Sequence, residues 1–315
     1  MNVFVSGAGV VLPGAGSVQA LVGGPEADAP PVSPADLVGR KGLRYKNRAT
    51  QLGYCLAAAA LRDAGLLDDD GLTVPGESVG VVVSSNFSNL DTVARALDTI
   101  REETAAAASP MDLPNASSNV IASSIAIRFG LNGPNLLVCN GATSGLDAVH
   151  WALTMIRASR VDRVLVVGVE PDNDVVRRLL DGGHAVDGGA AVVLENGFAA
   201  RERGATARAV MGRYVRTART ADVLDRLGGP GRPEPARWQL PDSAGPAPAE
   251  ELLPGVERVS LPPHCGNASG ALGVLQCAAA VGWFDGGGTG PVYATAGSGD
   301  DDASAGLVLL APGAA

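Results

Sequence analysis

Short β-branched runs alternate with longer Ala-rich segments along this chain, a pattern that predicts strands connected by helices. In the first 200 residues the predicted strands are 3–6, 79–84, 136–139, 164–169 and 190–194. The predicted helices of the same part are 47–64, 90–100, 117–129, 145–158 and 173–180. Residues 164–169 are apolar without alternation, so both faces of that strand should be buried. The alternation therefore favours an α/β fold built on a layered sheet.

The rest of the chain repeats this outline in a shortened form. Its predicted strands are 207–215, 256–261, 292–296 and 306–310, with one long helix at 268–281. Residues 228–254 are rich in Pro and Gly, which predicts a long surface loop or a lid. The strand and helix units on either side of this stretch look incomplete alone. We therefore expect a single domain over 1–315, with an N-terminal half of about 1–200 and a shortened C-terminal half of about 201–315.

Composition limits the classes of partner. The 315 residues carry a formal net charge of −9 and include three histidines, so no basic stripe is available for nucleic acid. No apolar run reaches the ~20 residues of a membrane span, and residues 1–11 predict a strand rather than a leader. The four cysteines lack paired CxxC spacing, which indicates reduced thiols. These features predict a cytoplasmic protein without nucleic-acid or membrane partners.

One segment carries a specific resemblance. Residues 133–145, GPNLLVCNGATSG, resemble the nucleophile segment of β-ketoacyl synthases, where a Gly-Pro pair precedes a strand and a Cys-x-Ser-Gly turn opens a buried helix. The runs VFVSGAG at 3–9, VLVVGVE at 164–170 and DGGAAVVLE at 187–195 resemble three further strands of that family. The resemblance implies the thiolase-like fold, a layered α-β-α-β-α architecture with two pseudo-repeated halves.

The departures from the family pattern concern its chemistry. Counted from both ends of the segment, the nucleophile position falls on Ala142, whose methyl group cannot carry a thioester. The family's active cysteine is a thiolate at a helix N-terminus, activated by the helix dipole, that accepts the acyl chain. The resemblance therefore implies a degenerate site that lacks this half-reaction.

The family's two histidines are only partly matched. We find no Asn-x-His-Gly-Thr motif for the first, while SLPPHCGNASGA at 260–271 resembles the strand, histidine and helix of the second. This match places His264 at the second histidine position and Val259 at that of the family's lysine. The glycine-rich turn at 297–302 resembles the family's C-terminal turn without its gating Phe, which makes Gly297, Ser298 and Asp300 candidate substrate-binding residues.

Other side chains could supply a relocated catalytic group. Ser144 lies beside the degenerate position, and Cys265 is adjacent to His264, where a histidine could activate a thiol. Adjacent strand residues point to opposite faces, however, and Cys139 lies in an apolar strand where packing is the expected role. The serine is misplaced for a Gly-x-Ser-x-Gly elbow, and no dinucleotide fingerprint is present. Acids on a turn such as 300–302 usually face water, so we predict no metal and no cofactor.

The resemblance implies a chain-length-factor-like subunit that pairs with a catalytic ketosynthase in type II polyketide, polyene or fatty-acid-like biosynthesis. Pairing would use the strand before Ala142, as a heterodimer or, alternatively, a homodimer. An acyl carrier protein is a further expected partner, for which the basic residues within 40–48 could provide a docking patch. A divergent acyltransferase, decarboxylase or cyclase using His264 and a non-standard nucleophile is the alternative, and a scaffold without an acyl site is the third.

Overall fold

The computed structural model describes residues 2–110, 112–229, 234–242, 252–298 and 301–313. Its strands form a ten-stranded sheet in the order β3-β2-β4-β5-β1-β6-β10-β9-β7-β8. The strands are β1 (Val3–Val11), β2 (Val79–Ser84), β3 (Asn135–Val138), β4 (Arg163–Glu170), β5 (Gly188–Asn196), β6 (Ala209–Thr217), β7 (Arg237–Gln239), β8 (Glu257–Val259), β9 (Val292–Ala296) and β10 (Ser304–Leu310). Strand β4 is buried along its whole length, as its unbroken apolar run predicts.

The two halves of the sheet have the same topology. When the five strands of each half are renumbered 1 to 5 in chain order, both halves have the order 3-2-4-5-1, read from the edge of the sheet towards its centre. The fifth strand of each set, β5 or β10, is antiparallel to its neighbours, while β2 and β7 lie parallel to the strands on both of their sides. The halves meet where β1 pairs with β6 at Phe4 and Val5. The pseudo-repeat expected from the sequence is confirmed.

Helices complete the layers. They are α1 (Val18–Gly23), α2 (Pro34–Val38), α3 (Arg48–Asp63), α4 (Leu90–Glu102), α5 (Asp112–Asn115), α6 (Val120–Phe129), α7 (Ser144–Arg157), α8 (Asp174–Leu179), α9 (Gly197–Glu202), α10 (Thr220–Leu227) and α11 (Leu272–Asp285). Helices α3 and α6 cover one face of the first half-sheet, and α10 covers the outer face of the second. Helices α7 and α11 contact each other and strands of both halves. This is the thiolase-like α-β-α-β-α arrangement.

The middle layer contains the largest apolar core. It joins α7 and α11 to strands of both half-sheets, and it includes Leu146, Leu153, Val274 and Val281, which are fully buried. A second core lies between α3, α6 and the first half-sheet. Apart from Gln276 and its last residue, Asp285, helix α11 is apolar on all sides, as expected for a helix enclosed by neighbours. The start of α7, where the degenerate position lies, is therefore held inside the molecule.

Several features differ from the sequence-based expectations, among them the short helices α1, α2 and α9, which were not predicted. Helix α10 was missed, although Val223, Leu224 and Leu227 form its buried face. The stretch 228–254 is not wholly a loop, because β7 lies within it, pairs with β8 and β9, and buries Trp238. Parts of that stretch lie outside the described residues. A three-residue strand is too short to leave a period-two pattern, which explains the omission.

Candidate functional site

The degenerate position lies in a tight turn between β3 and α7. Gly141 has φ +67, a left-handed conformation that glycine adopts without steric cost, and it reverses the chain after the strand. Ala142 forms an isolated bridge with Asn140, and Thr143 is the N-cap residue of α7. The methyl group of Ala142 therefore stands at the positive end of a fourteen-residue helix. This geometry favours an anionic nucleophile, but the side chain offers none.

The hydroxyl group of Ser144 stabilises this turn through hydrogen bonds. It is fully buried, and its Oγ accepts the backbone N–H of Asn140 at 2.6 Å. The same Oγ lies 2.9 Å from Oδ1 of Asn86 and 2.8 Å from the carbonyl of Gly141, either of which can accept its proton. Asn86 also donates from Nδ2 to Ser269 at 2.8 Å, which links the turn to the segment before α11.

A buried carboxylate organises the adjoining loops. Glu170, at the end of β4, is fully buried and accepts four hydrogen bonds. The donors are the Ser85 hydroxyl at 2.9 Å and the backbone N–H groups of Asn86 at 2.6 Å, Phe87 at 2.9 Å and Gly270 at 2.9 Å. Burial raises the pKa of Glu170 to about 7, even though these hydrogen bonds act in the opposite direction. No local sequence pattern indicated this group, because its donors come from two distant segments.

The raised pKa of Glu170 predicts a stability that depends on pH. The folded state holds the proton of this carboxyl group more tightly than the unfolded state does. The resulting stabilisation is complete below the ordinary pKa of 4.5 and is lost as the pH rises to the folded-state pKa of about 7. We expect the free energy of unfolding to fall by about 2 kcal/mol across this range from this group. Urea unfolding of the wild type and Glu170→Gln at several pH values measures it. Identical pH slopes in the two proteins would contradict the prediction.

A second polar cluster surrounds the first turn of α7. Both oxygens of Asp147 are used: Oδ2 accepts from Asn140 Nδ2 at 2.7 Å and from Thr143 Oγ1 at 2.8 Å, while Oδ1 accepts the Tyr214 hydroxyl. The Tyr214 ring stacks on His150 with 4.2 Å between ring centroids. Burial is the main cause that raises the pKa of Tyr214, and the hydrogen bond to Asp147 and the charge of Asp147 raise it further. The Tyr214 hydroxyl therefore stays protonated. The cluster positions the turn and was not anticipated from the sequence.

The two central helices approach each other closely beside this turn. A Cβ placed on Gly145 would lie 2.6 Å from the backbone nitrogen of Gly273, closer than real Cβ atoms come to other atoms. The contact is reciprocal, because a Cβ on Gly273 would lie 2.7 Å from the carbonyl carbon of Gly145. Each helix can cross the other only because both positions lack side chains. The start of α11 is thereby fixed against the first turn of α7.

His264 and Cys265 lie in a different setting from the expected strand. They belong to the 3₁₀ turn Pro263–Cys265, so the expectation that they face opposite sides is wrong. Both line one cavity of about 640 Å³, together with a second histidine, His184. Nε2 of His184 lies 3.3 Å from the His264 carbonyl, and Nε2 of His264 lies 3.0 Å from the Pro25 carbonyl. A carbonyl only accepts, so each Nε2 donates its proton to that carbonyl.

This cavity is distinct from the turn at the start of α7. Its other lining residues come from the segment after β1, the start of α3 and the loops around α8, and two ion pairs border it. Among the described residues that line it, none belongs to the turn 139–144. Burial raises the pKa of the Cys265 thiol, so the thiol is not activated towards a thiolate. The structure thus groups His264 with Cys265, away from Ala142 and Ser144.

The remaining candidate residues are placed as follows. Cys139 is exposed at the end of β3, so the expectation that it is packed is wrong. The pKa of the Cys139 thiol is raised, mainly by partial burial and to a lesser extent by the charge of Glu170. Gly297 has φ +82 after β9, and the backbone N–H and the hydroxyl of Ser298 both donate to Asp301, at 2.7 and 3.1 Å. The turn is therefore closed on itself, and Asp300 lies outside the described residues.

Over the described ranges, no group of three or more His, Cys, Asp or Glu side chains is arranged to hold a metal ion. In the same part of the chain, no helix has both the length and the apolar character that crossing a bilayer requires.

Comparisons with known proteins agree with this architecture. The sequence profile of the β-ketoacyl synthase N-terminal domain matches residues 36–180. The chain is 30% identical over 138 residues to 3-oxoacyl-acyl-carrier-protein synthase 2 of Vibrio harveyi, covering 43% of this chain and 32% of that protein. It is 30% identical over 217 residues to the tetracenomycin polyketide synthase ketoacyl synthase alpha subunit of Streptomyces glaucescens, covering 58% and 49%. These alignments span about a third to a half of the length of the relatives.

A solved structure matches over the whole chain. The ishigamide ketosynthase/chain length factor superimposes with a TM-score of 0.81 at 20% sequence identity, covering 99% of this chain and 100% of the matched one. At that identity the match shows the fold alone. It extends to the C-terminal half, which lies beyond the residues matched by the profile.

Proposed function

Because the chain belongs to the thiolase-like β-ketoacyl synthase family, we propose that it is a non-condensing, chain-length-factor-like subunit that pairs with a catalytic ketosynthase. The observation that carries the proposal is Ala142 at the N-terminus of α7. The surrounding turn keeps a well-ordered hydrogen-bond network, so the fold is maintained where the nucleophile is missing. Such a subunit acts sterically, by limiting the length of the acyl chain that its partner elongates in a polyketide, polyene or fatty-acid-like pathway.

The pairing surface that we propose is the edge of the first half-sheet. Strand β3 lies at the end of the sheet, and its four residues are only partly buried. An edge strand with unpaired backbone groups is a template for a strand from another chain. Of the thirteen residues of α4, all of them described, Thr92 alone is buried, and Leu97 is 60% exposed. The flanking helices α6 and α7 expose Ile127 and Trp151. A partner with the same fold would cover this surface, as heterodimer or homodimer.

The basic segment before α3 supports a carrier-protein partner. Arg44, Lys46, Arg48 and Arg95 line a groove of about 400 Å³ with one acidic side chain, Asp91, in a chain of net charge −9. A local positive surface of this kind attracts an acidic protein. We propose that an acyl carrier protein docks here during elongation. The four thiols are unpaired, which is consistent with a reducing, cytoplasmic location.

The exposed thiol of Cys139 reports on pairing. Because it lies at the end of the edge strand, we expect its alkylation by iodoacetamide to slow by about tenfold or more when the chain is purified with a ketosynthase, since a packed interface excludes solvent. Peptide mass spectrometry measures the rate at each cysteine. Cys265, in the separate cavity, is the internal control and should keep its rate. Equal protection at both thiols, or none at Cys139 in a stable complex, would contradict the proposed surface.

A divergent acyl-processing enzyme is the second candidate. The observation in its favour is that His264 and Cys265 line one cavity together with His184. Such an acyltransferase, decarboxylase or cyclase would act on acyl groups held by a carrier protein. It predicts an acyl adduct on the wild-type chain, or turnover of malonyl-carrier protein, that His264→Ala or Cys265→Ser abolishes. Intact-protein mass spectrometry separates the two proposals.

A further inference from the structure

A cleft in the C-terminal half is lined mostly by aliphatic residues and by two glutamines. It has a volume of about 50 Å³ and lies between the ends of β7 and β8, helix α1 and helix α11. Its lining includes Gln239 and Gln276, which are 3% and 5% exposed. The remaining lining residues are mostly aliphatic and include Leu21, Leu240, Leu272, Leu275 and Ala279.

Neighbouring carbonyl groups fix the orientation of the Gln276 amide. Its Nε2 donates to the carbonyl of Thr295 at 2.8 Å and to that of Leu240 at 3.0 Å. Because a carbonyl oxygen only accepts, the group that faces these two carbonyls must be the NH₂ of the amide. Exchanging its nitrogen and oxygen would place oxygen against oxygen, so the orientation of the amide is fixed. Thr295 is itself held by the Trp238 indole at 2.9 Å and donates to the Gln239 carbonyl at 3.0 Å. The Oε1 of Gln276 is therefore fixed as an acceptor, in a residue that lines the cleft.

Both amide oxygens lack a donor among the described residues. Oε1 of Gln239 and Oε1 of Gln276 are buried and accept no hydrogen bond from any described residue. Buried polar atoms normally have a partner, because an unpaired acceptor in an apolar setting costs free energy. Two such acceptors that line the same cleft indicate a ligand that brings a hydrogen-bond donor to them.

The size and charge of the cleft define the class of ligand. A volume of about 50 Å³ admits roughly three or four heavy atoms, by comparison with the ~10–15 Å³ that one water needs. No charged side chain is among the described residues that line it, so a cation would be desolvated without compensation. We propose that the cleft binds a short, neutral aliphatic alcohol, with its hydroxyl directed onto Gln239 and Gln276 and its alkyl chain among the leucines.

Three probes of equal heavy-atom count test the proposal. Saturation-transfer NMR on the full chain would compare 1-butanol with diethyl ether, which has no donor, and with n-butylamine, which is cationic at neutral pH. We expect 1-butanol to bind about fivefold or more tightly than either, the effect of one hydrogen bond. Equal binding of the alcohol and the ether, or no saturation by the alcohol, would overturn the proposal.

Two variants connect the signal to the cleft. Ala279→Leu fills it with a larger apolar side chain and is expected to abolish alcohol binding, while circular dichroism checks that the fold is kept. Gln239→Met removes one acceptor at similar length and is expected to reduce the preference for the alcohol over the ether. An alcohol signal that survives Ala279→Leu would locate binding elsewhere and refute the assignment. The described lining residues do not include the turn at Ala142, so the result is independent of the pairing proposal.

Discussion

Replacing Ala142 by Cys is expected to produce a chain that takes up an acyl group, with at least about tenfold more adduct than the wild type. The new thiol would stand at the positive end of α7, where the dipole stabilises the thiolate. The thiolate would attack the carbonyl of an acyl thioester, form a new carbon–sulfur bond and release the donor as a thiol. Intact-protein mass spectrometry after incubation with hexanoyl-N-acetylcysteamine would measure the adduct, and peptide mapping would locate it.

The wild type and Ala142→Ser are the matched controls. The wild type already presents an exposed thiol at Cys139, three residues away, so it reports the background reactivity of a thiol in this neighbourhood. The serine variant has the same geometry with a far weaker nucleophile. A wild-type chain that acquires as much adduct as Ala142→Cys would refute the account of a silent site. An adduct located at Cys265 would favour the second candidate function.

Gly273→Ala is expected to destabilise the fold by about 3 kcal/mol, the upper part of the range for overpacking. The added methyl group would meet the backbone of Gly145 at 2.7 Å and the backbone nitrogen of Leu146, and backbone atoms cannot move aside cheaply. Both central helices would have to separate. Urea unfolding followed by circular dichroism measures the loss.

Gly23→Ala is the matched control for that substitution. Gly23 ends helix α1, and a Cβ there would meet nothing within 4 Å, so the same chemical change should alter stability by less than about 0.5 kcal/mol. A Gly273→Ala protein as stable as the Gly23→Ala protein would show that α7 and α11 do not cross as closely as described.

Elements with a strong local pattern could be predicted from the sequence. The unbroken apolar strands at 79–84 and 292–296 have the predicted bounds in the structure, and the helix predicted at 47–64 is α3 with its two capping residues. Helix α10 was missed because it is short and lies between a strand and a Pro/Gly-rich stretch. The turn at Pro263–Cys265 was mistaken for a strand end, although two consecutive prolines precede His264 and favour a turn.

The candidate site could be predicted only where it depends on local sequence. The position of Ala142 follows from contiguous residues, and the structure places it at the start of α7. The environment of Glu170 could not be predicted, because Ser85, Phe87 and Gly270 are brought to it by the sheet and by the crossing of α7 and α11. The same holds for Tyr214 and Asp147, which are 67 residues apart. Networks of this kind arise from tertiary packing and leave no periodic signal.

The central claim is best tested by reconstitution with a candidate ketosynthase. The synthase and this chain would each be expressed alone and then together, and the products formed from malonyl-carrier protein would be analysed by mass spectrometry. We expect a stable complex that makes elongated product only when both chains are present, with no product from this chain alone. Failure to associate with any ketosynthase, or condensation by this chain without a partner, would contradict the proposal.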